Sequence, residues 1–242
     1  MRHFGYLSAS DTAALFEAPP GRFDRSSGIE LLSVALGATL YMPADRPALG
    51  ADIAKQAAAG VTSVTVCLED SIADADVLSA MDNLVDALVA LSEDTTVEPP
   101  LLFVRVREPD QITELVARLG GAVGVLDGFV LPKFTAEVGT EYLHALDEAD
   151  RSAGTALLAM PVIESGAVLY AETRVDELTR LRALLHRDRK RILAVRLGAT
   201  DLCALFGLRR SPDLSIYDVK VISSLIADVV NMLGRADGTG FT

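Results

Sequence analysis

The chain has 242 residues, 50% of them hydrophobic and 5% aromatic, which is a globular composition long enough to bury a sizeable core. Its formal charge of −12 argues against a general surface for nucleic acid or for an anionic membrane. The first residues lack the basic region and long apolar core of a signal peptide, and no apolar run is long enough to cross a bilayer. Cys67 and Cys203 lie in or beside apolar segments without metal-like spacing. These features predict a cytoplasmic protein with buried free thiols.

The predicted elements form a repeating pattern after an irregular start. Residues 1–35 carry turn signals and predict an N-terminal extension with one or two short helices. Apolar strand-like runs then alternate with helical stretches. The predicted strands cover 36–43, 61–70, 100–107, 128–133, 156–165 and 191–202. The predicted helices cover 47–60, 75–93, 110–120, 135–152, 168–187 and 217–233, with Gly60 ending the first and Asp110 as the N-cap of the third.

The strands are nearly continuous in apolar residues, as strands buried on both faces are, and this predicts a parallel α/β sheet. Two architectures fit the pattern: an open doubly wound sheet and a (β/α)8 barrel. Neither GxGxxG nor GxxxxGK[ST] follows the first strand, so the nucleotide-binding fingerprints are absent. In a barrel, active-site residues should lie where the strands end and the following loops begin.

Charged or polar side chains stand at the carboxyl end of every predicted strand. Each one alone could cap a helix or pair with a local neighbour. A barrel gathers all six strand ends around one mouth, so the coincidence predicts a shared polar site. The residues are Asp45 and Arg46, Glu69 and Asp70, Arg105 and Arg107, Lys133, Glu164 and Ser165, and Thr200 and Asp201.

Glu164 ends the apolar run AMPVIESG, where an unpaired buried charge would be costly. Asp201 ends the next predicted strand. Neighbouring strands lie about 4.8 Å apart, so the two carboxylates can share one cation. Such hard oxygen ligands suit Mg²⁺, which keeps its other positions for water and substrate oxygens. The alternative is a pair of solvated helix caps.

Six ordered segments resemble the strand motifs of the HpcH/HpaI aldolase and citrate lyase β-subunit superfamily: LYMPADRP, VTVCLEDSIADAD, LFVRVR, FVLPKF, MPVIES and LAVRLGATDL. GATLYMPADRP, GLRRSPDLSIYDV and GRADGTGF are similar to the TIM-barrel C–C bond lyases of bacterial tellurium-resistance gene clusters. The resemblance covers essentially the whole chain. It implies that residues 36–242 form a (β/α)8 TIM-barrel domain of the α/β class. Six strands are accounted for, and the barrel is then incomplete at the C-terminus.

The resemblance also implies roles for residues at the mouth. Glu164 and Asp201 match the family's metal ligands, and Arg105 matches the arginine that holds the oxoacid carboxylate. Glu69 and Asp70 match an acidic pair near the metal-bound waters and the substrate.

Two further cations at the strand ends are substrate-binding candidates. Arg46 lies in PADRP, where members that use coenzyme A carry PGNRP near the coenzyme, so it is a candidate for a phosphate contact. Lys133 ends the fourth predicted strand at the same mouth.

At two positions the chain differs from the superfamily pattern, and these differences limit which subfamily it resembles. Asp70 stands where HpcH-type aldolases carry a histidine that transfers protons, which disfavours that subfamily. Thr200 replaces the glutamate of the usual GAED, so one acid beside the metal is lost. A C-terminal lid that relatives use to complete the site is also unaccounted for.

These residues predict a Mg²⁺-dependent carbon–carbon lyase, with Mn²⁺ as the other candidate metal. The substrate class is a 2-oxo or 2-hydroxy acid or its coenzyme A thioester, and whether coenzyme A takes part is left open. The metal would draw charge from the enolate, and Arg105 would clamp the carboxylate. Glu69 or Asp70 could orient water or relay a proton. His3, His144 and His186 are expected to be surface or packing residues.

Two rival functions stay open at this point. A non-catalytic binding or scaffold protein on a lyase barrel would explain a missing lid. A phosphate-handling enzyme could use Arg46, Arg105, Arg107 and Lys133, although no glycine loop supports it. The helix at 217–233 is apolar over most of its circumference, and two sheet edges lack partners, which predicts a homo-oligomer.

Overall fold

A computed structural model describes all 242 residues. Six parallel strands pair in sequence order into one curled sheet, with at least one helix between each strand and the next. The predicted α/β class and the incomplete (β/α)8 barrel are confirmed. The strands are β1 (Leu40–Pro43), β2 (Ser63–Cys67), β3 (Leu101–Arg105), β4 (Gly128–Leu131), β5 (Leu158–Ile163) and β6 (Arg196–Leu197).

Ten α-helices surround or precede the strands, and three short 3₁₀ segments join them. The helices are α1 (Ala9–Leu15), α2 (Ile29–Ala35), α3 (Leu49–Ala58), α4 (Val77–Glu93), α5 (Asp110–Leu119), α6 (Val138–Ala153), α7 (Gly166–Leu169), α8 (Ala171–Arg187), α9 (Ala199–Ala204) and α10 (Lys220–Leu233). The 3₁₀ segments are Asp74–Asp76, Gly120–Val125 and Ile216–Asp218.

Two boundary predictions need correction, and one is confirmed. The strand predicted over 191–202 pairs with β5 only at Ile192 and over Arg196–Leu197, and from Ala199 the chain is already helical. Asp110 is the first residue of α5 rather than its N-cap, because Pro109 precedes the helix and caps it without a side-chain bond. Gly60 ends the first predicted helix with a φ of +87°, a conformation that glycine adopts without steric cost.

The sheet separates two apolar cores, because successive side chains of a strand point to opposite faces. Leu102 and Val104 of β3 belong to the larger core, which the outer helices cover. Leu101 and Phe103 belong to a smaller core of 11 buried residues on the inner face. That inner core also takes in side chains from residues 1–36, so the N-terminal segment packs into the curled sheet. Its members are Phe23, Leu32, Ala35, Leu36, Leu101, Phe103, Val130, Met160, Val162, Leu193 and Ala194.

A buried carboxylate joins the N-terminal segment to the amino end of the sheet. Asp127, just before β4, accepts hydrogen bonds from the Leu102 N–H at 2.7 Å and from Arg25 Nη2 at 3.3 Å. Arg25 also donates to the Gly124 and Val125 carbonyls. Burial raises the pKa of Asp127 to about 6, although Arg25 and the Leu102 N–H act to lower it.

The last part of the chain lies along the outer edge of β6. The Val195 N–H donates to the Thr242 carbonyl at 2.7 Å, and Arg189 Nη2 donates to the Gly240 carbonyl at 2.7 Å. Cys67 and Cys203 are free and buried, as predicted. None of the helices is both long enough and apolar enough to span a bilayer.

Candidate active site

Arg105 is the centre of a charged cluster at the carboxyl ends of the strands. It is the last residue of β3, and its side chain is only 13% exposed. Its Nη2 lies 2.5 Å from Glu69 Oε2, 3.1 Å from Asp70 Oδ2 and 3.3 Å from Glu164 Oε1. Glu69 and Asp70 follow β2, and Glu164 follows β5, so one guanidinium joins three strand ends. The structure therefore brings together four of the groups that the strand-end pattern placed at one mouth: Glu69, Asp70, Arg105 and Glu164.

Lys133 completes this cluster from the end of β4, with two different donors. Its Nζ lies 2.5 Å from Glu69 Oε1, and its backbone N–H donates to Glu164 Oε1 at 2.8 Å. Its φ is +49°, in the left-handed region that a residue with a side chain rarely adopts. Such strain persists where surrounding contacts hold it, and here it aims the N–H at a buried carboxylate. The sequence pointed to the Lys133 ammonium group but not to its backbone donor.

Glu164 is the most enclosed of the acids, with 1% of its side chain exposed. It packs against Gly198, because a Cβ added there would lie 2.0 Å from Glu164 Oε2. Burial is the main cause that raises the pKa of Glu164, and the neighbouring Asp201 raises it further. The Lys133 N–H and Arg105 act in the opposite direction. Asp201 lies in the first turn of α9, so the two predicted metal ligands are close enough to interact.

The donor chemistry of this pair fits Mg²⁺ better than it fits zinc. Glu164 and Asp201 supply carboxylate oxygens, and the neighbouring Asp201 disfavours the ionised form of Glu164 unless a cation lies nearby. No group of three or more His, Cys, Asp or Glu side chains in the structure is arranged to hold a metal. Mg²⁺ is commonly held by one or two carboxylates and keeps several waters, whereas zinc sites need three or four protein ligands. Glu164 and Asp201 are therefore suitable Mg²⁺ ligands.

Two polar atoms beside this cluster have no hydrogen-bond partner. Arg105 Nε and Ser165 Oγ are both buried and both unsatisfied. Buried polar groups are normally paired, so unpaired ones in a charged cleft indicate where a ligand atom would bind. Because its Nε has no partner, Arg105 can donate a further hydrogen bond to an anion.

Arg107 is a residue whose structural role the sequence pattern did not reveal. Its Nε donates to the Leu68 carbonyl at 2.8 Å, and its Nη2 donates to the carbonyls of Glu69 and Ile72. Its Nη1 pairs with Asp74 at 2.5 Å. Arg107 thus holds the turn that carries Glu69 and Asp70, and its donors are engaged, which counts against the phosphate-handling alternative. Its position two residues after Arg105, within the strand predicted over 100–107, was the available signal.

Other candidates lie outside the cluster. Arg46 pairs with Asp52 at 2.6 Å, and no hydrogen bond or ion pair joins it to Arg105, Glu69 or Glu164. The structure therefore does not bring Arg46 to the site.

The three histidines also lie away from the cluster. His3 Nε2 lies 2.9 Å from the Ala35 carbonyl, and His186 packs beside Phe241. His144 lies in a groove between α5 and α6.

Comparison with known proteins establishes the family. The sequence profile of the C–C bond lyases of the TIM-barrel fold matches residues 30–242. The chain belongs to this family. The resemblance to the TIM-barrel C–C bond lyases and the lyase class predicted from the sequence are therefore confirmed. No protein of curated function matches the sequence.

Solved structures with the same fold include two kinds of enzyme. The magnesium/glyoxylate complex of Haloferax volcanii malate synthase is 16% identical, with a TM-score of 0.57 over 79% of this chain and 60% of that one. The CitE protein of Mycobacterium tuberculosis in complex with magnesium and pyruvate is 23% identical, with a TM-score of 0.51 over 84% and 72%. The citrate lyase β subunit from M. tuberculosis with oxaloacetate and magnesium is 22% identical, with a TM-score of 0.50 over 84% and 76%. At identities of 16–23%, these similarities show only that the chain shares the fold of those enzymes.

Proposed function

We propose that this chain makes or breaks a carbon–carbon bond beside the carbonyl of a 2-oxo or 2-hydroxy acid, with Mg²⁺ held by Glu164 and Asp201. The observation that carries the proposal is the convergence of Arg105 with carboxylates from two other strand ends, together with its unpaired Nε. The family supplies the reaction class. Magnesium bound to relatives of the same fold, with pyruvate, oxaloacetate or glyoxylate, supports the choice of metal and of acid.

Each residue of the cluster has a separate part in this proposal. When bound, Mg²⁺ supplies Lewis-acid polarisation of the substrate carbonyl. Arg105 binds the substrate carboxylate through paired N–H groups, which its planar guanidinium can present in a fork. Lys133 holds Glu69 in place, and Glu69 or Asp70 orients water or carries a proton. The buried position of Glu69, Glu164 and Arg105 keeps bulk water away from these groups.

Metal and acid binding can be tested by calorimetry. Mg²⁺ should bind wild type, and oxalate or pyruvate should bind only in its presence. Glu164→Gln and Asp201→Asn should each lower Mg²⁺ affinity by about 100-fold, since each removes one of two ionic ligands. Asp228→Asn is the matched control, because Asp228 is a half-exposed acid paired with Arg174 outside the mouth. Unchanged Mg²⁺ affinity in both site variants would contradict the assignment.

The proposal has four finer features that the sequence suggested. Mn²⁺ would bind the same two carboxylates. A coenzyme A thioester would place a phosphate near Arg46, whose half-exposed side chain would have to leave Asp52. The bacterial tellurium-resistance context is proposed from the sequence resemblance, and a cytoplasmic location from the two buried free cysteines. Affinity for coenzyme A that is equal in wild type and in Arg46→Ala would remove Arg46 from this proposal.

We also propose that the chain forms a homo-oligomer through α10. Ile222, Leu225 and Val229 are buried against the barrel, whereas Val221 and Val230 are 42% and 58% exposed. Apolar side chains on both sides of one helix favour a second contact surface. Light scattering should show an assembly that Val230→Lys weakens; a stable wild-type monomer at micromolar concentration would contradict this.

A further inference from the structure

The segment 133–136 follows β4 and carries Lys133, whose ammonium group and backbone N–H both bind carboxylates of the charged cluster. We call this segment the Lys133 turn. Three of its four backbone N–H groups donate to one neighbouring part of the chain, which runs from β5 to α8. These bonds are Lys133 N–H to Glu164 Oε1 at 2.8 Å, Phe134 N–H to the Val162 carbonyl at 3.0 Å, and Ala136 N–H to Glu177 Oε1 at 2.7 Å.

Glu177 is a buried acid on an outer helix. Only 7% of its side chain is exposed, and it lies on the face of α8 that buries Leu178 and Leu181 in the larger core. Its Oε2 lies 3.4 Å from Nη1 of Arg180, whose side chain is 56% exposed. A buried carboxylate is costly to desolvate, and this long contact with a solvated guanidinium compensates it poorly. The Ala136 N–H is therefore the principal partner of Glu177.

The Lys133 turn needs contacts that hold it, because Lys133 has a φ of +49°. A residue with a side chain pays a conformational cost there, so the turn would relax to negative φ if its surroundings let it. The fully buried Phe134 and the bond from Ala136 to Glu177 fix the part of the turn that follows Lys133. Rotation of Lys133 to negative φ would direct its N–H away from Glu164.

The Lys133 N–H is the direct hydrogen-bond donor to one of the two proposed metal ligands. Carboxylates that bind a metal are oriented by such donors, and loss of a donor commonly lowers metal affinity by roughly 10- to 100-fold. No side-chain substitution at Lys133 removes this donor, because it belongs to the backbone. Glu177 binds the turn three residues later and is a side chain through which the donor can be displaced.

We propose that Glu177 is a positioning residue for the metal site. By accepting the Ala136 N–H it holds the Lys133 turn, and the turn keeps the Lys133 N–H on Glu164. Glu177 touches neither the metal nor the substrate and acts only through the turn. This inference rests on the proposed function, because it takes Glu164 as a Mg²⁺ ligand. The part of the chain that supplies Glu164 then also supplies the side chain that keeps it oriented.

Glu177→Leu tests the proposal, because leucine fills similar space among apolar neighbours but accepts no hydrogen bond. Calorimetry should show a Mg²⁺ affinity at least about tenfold below that of wild type. Amide hydrogen exchange in the metal-free protein should become faster at Lys133. Replacement of a buried charge by an apolar side chain is often neutral for stability, so the melting temperature should change little. Glu177→Gln keeps an acceptor oxygen and should restore the wild-type affinity and exchange rate.

Leu181→Ala is the matched control from the same face of α8. Leu181 is fully buried, so its truncation leaves a cavity and should lower the melting temperature. It removes no hydrogen bond of the Lys133 turn, so Mg²⁺ affinity and exchange at Lys133 should stay at the wild-type values. An affinity loss in Leu181→Ala as large as in Glu177→Leu would attribute the effect to general destabilisation and overturn the proposal.

The remaining outcomes separate this proposal from the proposed function. Wild-type Mg²⁺ affinity and slow exchange at Lys133 in Glu177→Leu would overturn the positioning role, and the proposed function stands if Glu164→Gln still loses Mg²⁺. Equal losses in Glu177→Gln and Glu177→Leu would show that the charge matters and not the acceptor, which also overturns it. If Glu177→Leu does not fold, Glu177→Asp, whose side chain is one methylene shorter, should show the same loss. Failure of wild type to bind Mg²⁺ overturns both proposals.

Discussion

Carboxylates are buried at both ends of the sheet, but the partners that bind them differ between the two ends. At the amino end, Asp127 accepts from one backbone N–H and from Arg25, which also binds two carbonyls. At the carboxyl end, Glu69 and Glu164 share Arg105 and Lys133, and the Lys133 side chain is 63% exposed. The amino end thus joins segments of the chain, while the carboxyl end has an exposed ammonium group and an unpaired guanidinium nitrogen.

This difference shows how burial of a charge can serve either stability or binding. A carboxylate with fixed partners holds two segments together, and its removal should affect unfolding. A carboxylate whose partners can exchange with a ligand should affect binding when it is changed. The four predictions below test whether the two ends separate in this way.

The largest effect is expected from Gly198→Ala at the carboxyl end. The added Cβ would lie 2.0 Å from Glu164 Oε2, so the buried glutamate must move. We expect a loss of about 3 kcal/mol in the free energy of unfolding and a loss of Mg²⁺ binding. Urea unfolding and calorimetry measure the two. Gly124→Ala is the control, because nothing lies within 4 Å of a Cβ there; similar behaviour of both variants would show that Gly198 does not shape the site.

Arg105→Lys should weaken oxoacid binding by about 100-fold while leaving the protein folded. Lysine keeps the charge but loses the planar pair of donors. Calorimetry with oxalate in Mg²⁺ measures this loss. Arg118→Lys, at a surface pair with Asp82, provides the matched control. Wild-type affinity in Arg105→Lys would exclude Arg105 as the carboxylate clamp.

Asp127→Asn should change the pH dependence of stability at the amino end and leave ligand binding unchanged. The folded-state pKa of about 6 lies above the usual value of 3.8, so the folded protein binds more protons between these pH values. Stability from this group is therefore present below about pH 4 and is lost as pH rises through 6, by up to about 3 kcal/mol. Relative to wild type, the variant should gain stability between pH 4 and pH 7. Parallel unfolding curves for the two proteins across this range would contradict the prediction.

Arg25→Ala should give the smallest effect, a loss of about 1–2 kcal/mol in the free energy of unfolding. It removes the partner of Asp127 and two hydrogen bonds to carbonyls. Affinity for Mg²⁺ and oxalate should stay at the wild-type value. A parallel loss of ligand affinity would show that the two ends are coupled. It would contradict the view that the amino end serves stability and the carboxyl end serves binding.

The sequence by itself determined the order of the elements and the core of the charged cluster at the strand ends. Apolar runs and helix signals are local, so six strands and their helices could be predicted in order. Parallel strands carry their ends to one side of a sheet, and Glu69, Arg105, Lys133 and Glu164 therefore meet. The strand predicted over 191–202 was too long because apolarity marks burial and not backbone pairing.

Only the tertiary structure decided how these groups are held. The Lys133 backbone N–H reaches Glu164 across 31 positions, and Arg196 reaches Thr39 across 157. Arg107 holds the turn that carries Glu69, and Arg46 pairs with Asp52 away from the site. Such contacts depend on the curl of the sheet and on the direction of each side chain. A local pattern carries no information about either, because it describes neighbours along the chain and not neighbours in space.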